Sequence, residues 1–287
     1  MDVAIAVDIG GTKTEVGVID RTGAILWRRQ EATRVDDPWP TVADLVQAAL
    51  GTLPSPPTVV GVGCGGPMRA AGEAVSPLNI TGWRDFPLRA RLRDIAKVPV
   101  AIDNDAKALA LGEGWLGAAR DHRDFIAMVV STGVGGGIVL DGRLLDGAQG
   151  NCGHIGHVIV EPEGRWCACG ARGCLEAEAS GPAIAAATGR PAADASPAVV
   201  ERTGRLVGRA LASVVSLLDL RLAVVAGSVA LGFGAPFFAA AQRELDASAR
   251  IQFARGARVV PAGLGADGPL IGAAAVGWRR WRENPDG

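Results

Sequence analysis

Asp2-Val-Ala-Ile-Ala-Val-Asp8-Ile-Gly-Gly-Thr-Lys-Thr14-Glu-Val-Gly-Val-Ile-Asp20 is the stretch on which the fold turns. Asp2 to Asp8 reads as a buried strand, Gly10 to Thr14 as a tight turn, and Glu15 to Asp20 as a second strand. Thr22-Gly23 turns the chain again into Ala24 to Arg29, so the N-terminal segment predicts an antiparallel meander. The pattern then returns. Phe125 to Val130 is apolar, Ser131-Thr-Gly-Val-Gly-Gly-Gly137 is a second glycine-rich turn, and Ile138 to Leu140 resumes a strand before the Asp141-Gly142 hairpin signal. A repeat of this kind weighs more than either loop alone. Two such hairpins can grip the phosphates of a nucleotide, because glycine admits positive φ and close approach, and several backbone N–H groups then converge on an anion. The alternative is that these glycines serve only their own hairpins.

Between and beyond the repeats the chain reads as alternating helices and strands. Pro40 to Leu50 is helical in pattern, Thr58 to Gly63 is a strand, and Gly63-Cys64-Gly65-Gly66-Pro67 is a loop. Leu88 to Lys97 is a basic amphipathic helix, Val98 to Ile102 a strand, and Asp103-Asn104-Asp105 leads a helix through Trp115. Pro197 to Leu218 reads as a long helix, Leu222 to Ala226 as a strand ending at Gly227-Ser228, and Ala235 to Ala249 as a helix. Ala257 to Pro261 is a strand and Leu270 to Trp281 a terminal helix, with a frayed tail over Arg282 to Gly287.

Four metal-type ligands, His157, Cys167, Cys169 and Cys174, fall close together, and they include three of the five cysteines in the chain. Thiolates and a neutral imidazole suit tetrahedral Zn²⁺, and four protein ligands leave no open position, so the expected ion is structural. The alternative is a set of buried free cysteines beside a surface histidine. A disulfide is disfavoured, since nothing in the sequence suggests export.

The 287 residues allow one large domain or two ordinary ones. With 48% hydrophobic and 21% charged residues, the chain can bury a sizeable core. A net charge of −1 argues against a nucleic-acid or membrane-surface partner. The first residues lack the basic and long apolar regions of a signal peptide, and no apolar run reaches spanning length, so the expected location is cytoplasmic.

Asp8-Ile-Gly-Gly-Thr-Lys-Thr14, Asn104-Asp105, Ser131-Thr-Gly-Val-Gly-Gly-Gly137 and the Cys167–Glu176 cluster together resemble the ROK family of sugar kinases and sugar-responsive repressors. The resemblance spans residues 2 to about 280. It implies an α/β fold of two RNase H-like (actin/hexokinase-like) domains, with an active site in the cleft between them and a structural zinc loop. The expected division is residues 1–118, joined by the C-terminal helix of about 270–287, and residues 119–269.

The resemblance also implies roles for individual residues. Asp8 would hold Mg²⁺ against the phosphates of ATP, unless it merely caps its turn. Gly10, Gly11, Thr12 and Lys13 form the first phosphate loop, though Lys13 also reads as a solvated turn residue. Thr132 and Gly133 match the second loop, and Ala226-Gly227-Ser228 lies where the family meets adenosine. Asp105 stands at the family's catalytic base, accepting the sugar hydroxyl's proton as that oxygen attacks phosphorus; residue types alone equally allow a helix N-cap. Asn79, Asn104, His157 and Glu176 would contact the sugar, His157 doubling as a zinc ligand. His154 departs from the glutamate of glucose-type members and looks like the His-Ile-Gly-His run of bacterial N-acetylmannosamine kinases, although it could also tolerate a glucose site.

The activity so implied is phosphorylation of a hexose or amino-hexose at its 6-hydroxyl, with N-acetylmannosamine first. Glucose, N-acetylglucosamine and glucosamine are the alternatives, and polyphosphate is an alternative donor. A non-catalytic sugar sensor or regulator is disfavoured by Asp8, Lys13 and Asp105, and by a first strand beginning at Asp2 with no room for a helix-turn-helix before it. A homodimer or homotetramer is expected by resemblance alone.

Overall fold

A computed structural model describes residues 2–69 and 72–283. It divides into two units. One comprises the chain up to Leu116, Asp146–Cys152 and the chain from Leu264 onward; the other comprises Gly117–Leu145 and Gly153–Gly263.

In the first unit, β1 (Val3–Ile9), β2 (Lys13–Asp20) and β3 (Ile25–Ala32) form the antiparallel meander. After α1 (Trp39–Gly51), β4 (Val59–Cys64) returns parallel to β1. After α2 (Leu88–Ala96), β5 (Val100–Asn104) pairs parallel to β4, giving the order β3-β2-β1-β4-β5. The run Val3 to Val7 is buried at every position, as a central strand covered on both faces must be. Val42, Leu45 and Val46 of α1 and Leu88 and Leu92 of α2 cover one face. The terminal helix α9 (Gly268–Glu283) covers the other through Leu270, Ile271, Ala274 and Trp278 against Ala4, Ala6 and Val59.

The helix α3 (Asp105–Trp115) starts directly at the end of β5, and the cap is Asn104, whose Oδ1 accepts the Ala106 N–H at 3.0 Å. The capping alternative weighed for Asp105 therefore belongs to its neighbour.

The second unit repeats the arrangement. β6 (Phe125–Val130), β7 (Val134–Leu140) and β8 (Arg143–Leu144) run antiparallel, and β9 (Leu222–Ala226) and β10 (Arg258–Pro261) add in parallel, giving β10-β9-β6-β7-β8. Before β9 come the short helices α4 (Leu175–Ala179) and α5 (Gly181–Thr188) and the long α6 (Pro197–Leu218). Between β9 and β10 lie α7 (Ser228–Phe233) and α8 (Ala235–Ser248). Helices α6 and α8 pack so closely at Gly208 that a Cβ there would strike the Ala241 carbonyl.

Several boundaries differ from the sequence reading. Gly135, Gly136 and Gly137 belong to β7, so the turn is only Ser131-Thr132-Gly133. The glycines serve packing there, since Gly136 lies against Gly153 and Ile155. Likewise Lys13 and Thr14 already belong to β2. Asp146–Cys152, expected in the second domain, groups with the first unit, where Asp146 meets Lys107 and Arg279. Arg282 and Glu283 are helical, while the rest of the expected frayed tail lies outside the described residues.

Gly208→Val should destabilise the protein by about 1–3 kcal/mol, because the added carbons have no space at the α6–α8 crossing. Urea unfolding would register this as a lower midpoint, whereas the exposed control Leu217→Val should leave the midpoint nearly unchanged.

Candidate active site

In the first unit, parallel pairing brings three acidic positions to one sheet end. Asp8 pairs with Gly63, and Gly63 with Asp103, across β1, β4 and β5. Gly63 has no side chain to separate Asp8 from the start of α3, and a Cβ built there would lie 3.7 Å from Asp8 Oδ1 and 3.9 Å from Asp105 Cα. Asp105, the first residue of α3, is exposed. Burial raises the Asp8 carboxyl to about 7, the nearby Asp105 carboxylate adds to the rise, and Lys13 opposes it. Two neighbouring carboxylates of which one readily keeps its proton form a place that favours a cation.

The loop from Gly10 to Thr12 is braced from beside it. Gly10 N–H donates to the Lys13 carbonyl at 3.0 Å, the Thr33 hydroxyl donates to the Gly10 carbonyl at 2.8 Å, and Thr33 N–H donates to the Thr12 carbonyl at 3.0 Å. Asn79 packs on Gly11, where a Cβ would come within 2.9 Å of the Asn79 Cβ. Lys13 is neither in the turn nor merely solvated: its Nζ pairs with the buried Glu15 at 3.0 Å and donates to Gln30 at 3.2 Å.

In the second unit, Ser131, Thr132 and Gly133 form the turn between β6 and β7, and Thr132 is exposed. The Ser131 hydroxyl lies 2.8 Å from that of Ser228, at the start of α7. Gly227 has φ +99°, and a Cβ there would run into the Val130 carbonyl, so glycine is required beside this turn. An open groove of about 550 Å³ runs alongside, lined by Ser131, Thr132, Gly181, Arg190 and Ser228 among others. Ser228 ends the Ala226-Gly227-Ser228 run that the family resemblance pointed to, whereas Arg190 was not singled out from the sequence and nothing local marked it.

The cysteine-rich segment closes on itself. Donor atoms of His157, Cys167, Cys169 and Cys174 all lie within 4.8 Å of one another. Cys169 Sγ and Cys174 Sγ are 3.6 Å apart, and Cys167 Sγ is 3.7 Å from His157 Nδ1. Tetrahedral zinc, with Zn–S about 2.3 Å and Zn–N about 2.0–2.1 Å, requires donor separations of about 3.5–3.8 Å. The donor set and its spacing thus fit that ion. Gly173, at φ +77°, lets the loop pass the Glu161 carbonyl, which a Cβ would hit.

Since His157 turns Nδ1 to the cysteines, its Nε2 faces elsewhere, and the His154 ring lies 6.0 Å from it, centroid to centroid. Glu176 begins α4, and its Oε2 accepts the Val134 N–H at 2.8 Å, which ties it to the Thr132–Gly133 turn. The sequence reading passed over Glu178. This buried carboxylate accepts the Arg165 N–H and an Arg202 N–H, each at 2.6 Å, and so fastens the metal-type loop to α6. Burial alone would raise its carboxyl, but these donors hold it below the usual range.

The expected site residues therefore gather within their units: Asp8, Gly10, Gly11, Thr12, Lys13, Asn79, Asn104 and Asp105 in the first, and Thr132, Gly133, His154, His157, Glu176 and Gly227 in the second, with the three cysteines. Among the described residues, no helix is long and apolar enough to cross a membrane.

Comparison with known proteins adds to this geometry. The family model described as "ROK family" matches residues 4–279. An N-acetylmannosamine kinase of Citrobacter koseri is 37% identical over 246 residues, which cover 80% of this chain and 84% of that protein. Among solved structures, a ROK hexokinase from Thermus thermophilus aligns with a TM-score of 0.84 at 31% identity, over 98% of this chain and 100% of that one. A ROK family glucokinase from Streptomyces griseus, solved with glucose and AMPPNP, aligns at 0.80 and 30% identity, over 96% and 99%.

The raised Asp8 carboxyl carries a sign that stability measurements can read. Between its unfolded value of 3.8 and its folded value of about 7, the folded state binds the extra proton, so this group's contribution to stability is lost as pH rises through that window. In chelator-treated protein, the urea midpoint of the wild type should fall more between pH 5 and pH 8 than that of Asp8→Asn. Parallel profiles for the two proteins would contradict the assignment.

Proposed function

The chain belongs to the ROK family, and we propose that it is an ATP-dependent kinase acting on the 6-hydroxyl of N-acetylmannosamine. The observation that carries the reading is the position of Asp105: an exposed carboxylate on the first turn of α3, beside Asp8, in a chain 37% identical to an N-acetylmannosamine kinase. In this reading Asp105 accepts the hydroxyl proton as the sugar oxygen attacks the γ-phosphorus, and ADP leaves. Asn104 keeps Oδ1 on its helix cap and offers Nδ2 to the sugar. Asn79 braces Gly11 and lies with the sugar-contact residues.

Gly11, Thr12 and Lys13 of one hairpin and Thr132 and Gly133 of the other present backbone and side-chain donors for phosphate, while Gly10 shapes its turn through its bond to the Lys13 carbonyl. The groove beside Gly227 and Ser228 takes the nucleoside. Asp8 would hold Mg²⁺, directly or through water, and that ion supplies neutralisation of the charge developing on the phosphates.

His157, Cys167, Cys169 and Cys174 would hold a structural Zn²⁺, which supplies rigidity to the loop and no reactive position. His157 Nε2, His154 and Glu176 then address the sugar. His154 puts a ring with donor capacity where an acidic residue would be an acceptor only, which favours the acetamido sugar over one that needs an anionic acceptor. Similarity to the Streptomyces griseus glucokinase, at 30% identity, supports glucose as the second reading.

A coupled ADP-release assay over N-acetylmannosamine, N-acetylglucosamine, glucosamine, glucose and mannose tests both readings. N-acetylmannosamine should give the highest kcat/KM, and Asp105→Asn should lower kcat by about 10²–10⁴-fold. A clear preference for glucose would replace the first reading by the second, and no turnover on any sugar would remove the kinase reading.

Metal removal is expected to divide sugar from nucleotide. Chelation that strips the Cys167–Cys174 loop without unfolding the protein should weaken sugar binding by about tenfold or more while nucleotide affinity changes little. Calorimetry with each ligand reads the two separately, and unchanged sugar affinity in metal-free protein would refute the role given to the loop.

A further inference from the structure

One charged group of the first unit has no place in the chemistry described so far. Lys107 lies on α3, two residues past Asp105, and is only 2% exposed. A buried ammonium is costly unless fully paired. Here it meets three acceptors: Asp103 Oδ1 at 2.9 Å, Asp146 Oδ1 at 2.8 Å and the Gly150 carbonyl at 3.2 Å. An ammonium has three N–H donors, so its capacity is used in full.

The acceptors come from two separate stretches. Asp103 belongs to β5 and also accepts the Asn104 N–H at 2.8 Å. Asp146 and Gly150 belong to the segment that leads along the chain to Gly153 and His154. Arg279 of α9 closes the network, with Nη2 2.8 Å from Asp146 Oδ2 and Nη1 3.8 Å from Asp103 Oδ2. Lys107 and Arg279 thus balance Asp103 and Asp146.

This network engages the residues on either side of the β5–α3 junction, Asp103 before Asn104 and Asp105, and Lys107 after them. The Lys107 side chain reaches back one turn to Asp103, so the last residues of the strand and the first turn of the helix are tied from both ends. Asp105 Oδ1 accepts the Ala106 N–H at 2.8 Å, a contact whose geometry depends on how the first turn lies.

We infer that Lys107 is a positioning residue for phosphoryl transfer, holding the Asp103–Asp105 junction so that the base meets the acceptor hydroxyl in line. The inference rests on the kinase reading and on Asp105 as its base. Lys107 touches neither substrate in this account. Its loss therefore acts on the reacting geometry and not on ground-state binding: a misplaced base slows the chemical step while both substrates still bind. A purely structural role would instead lower the folded fraction and leave each folded molecule with normal turnover.

The test uses the full chain and steady-state kinetics per folded molecule, with folding checked by circular dichroism and urea unfolding. Lys107→Met keeps the length of the side chain and removes its charge. It should lower kcat by about 10–100-fold with the KM for sugar and for ATP each within about threefold of the wild type. A kcat within about twofold of the wild type, or a rise in KM with kcat unchanged, would overturn the inference. Asp105→Asn run in parallel separates the two levels: if it retains activity, the base assignment fails, whereas its inactivity beside an unaffected Lys107→Met overturns only the role of Lys107. Should Lys107→Met not fold, Asp146→Asn takes its place, since that carboxylate is half exposed and its replacement leaves Lys107 paired with Asp103. A severalfold loss of kcat at constant KM is expected there, and an unchanged kcat overturns the inference.

Discussion

Parallel pairing of the strand that follows each meander is the constraint on which the sites depend. In a parallel pair the same ends of the strands lie together, and helices begin where the strands stop. In the first unit this sets Asp8, Gly63 and Asp103 in register and starts α3 at Asp105. In the second it sets the end of β6 beside the end of β9, so that Ser131 meets Ser228 across 2.8 Å. An antiparallel return would have carried each of these residues to the opposite end of the sheet, away from its glycine-rich turn.

Charge is then concentrated where the strands end. Asp8 and Asp105 repel one another, and burial keeps the Asp8 carboxyl up near 7. A short distance away, Asp103 is offset by Lys107 and Arg279, so the third acidic residue of this sheet end is paired with cations. The second unit solves a different problem. Its segment from His157 to Cys174 leaves Ile159 and Trp166 exposed, brings four metal-type donors together, and is clamped to α6 by Glu178. Glu176, two residues before that clamp, is held by the Val134 N–H at the start of β7.

The limits of the sequence reading are instructive at Gly135–Gly137 and at Asp103. Glycine suggests a turn in any local view, and three in a row suggest a long one. All three are strand residues of β7, and at Gly136 the loop carrying Gly153 and Ile155 lies so near that a side chain would be crowded. In the sequence Asp103 only opens the Asp103-Asn104-Asp105 run that leads into a helix. It pairs with Arg279, 176 positions away, and shares both Lys107 and Arg279 with Asp146, 43 positions away, so no window of sequence holds the network that gives it a purpose.

By itself the sequence determined the strand–turn–strand repeat, most helices to within a few residues, the four metal-type ligands and the family. These are legible because period, turn chemistry and ligand spacing are local properties of the chain. Tertiary structure alone decided that Asn104 and not Asp105 caps α3, that Lys13 pairs with Glu15, and that Asp146–Cys152 joins the first unit. It alone decided that Lys107 is buried among three acceptors. Each of these depends on which side chains are excluded from water together, and burial is a property of the packed chain, not of any segment of it.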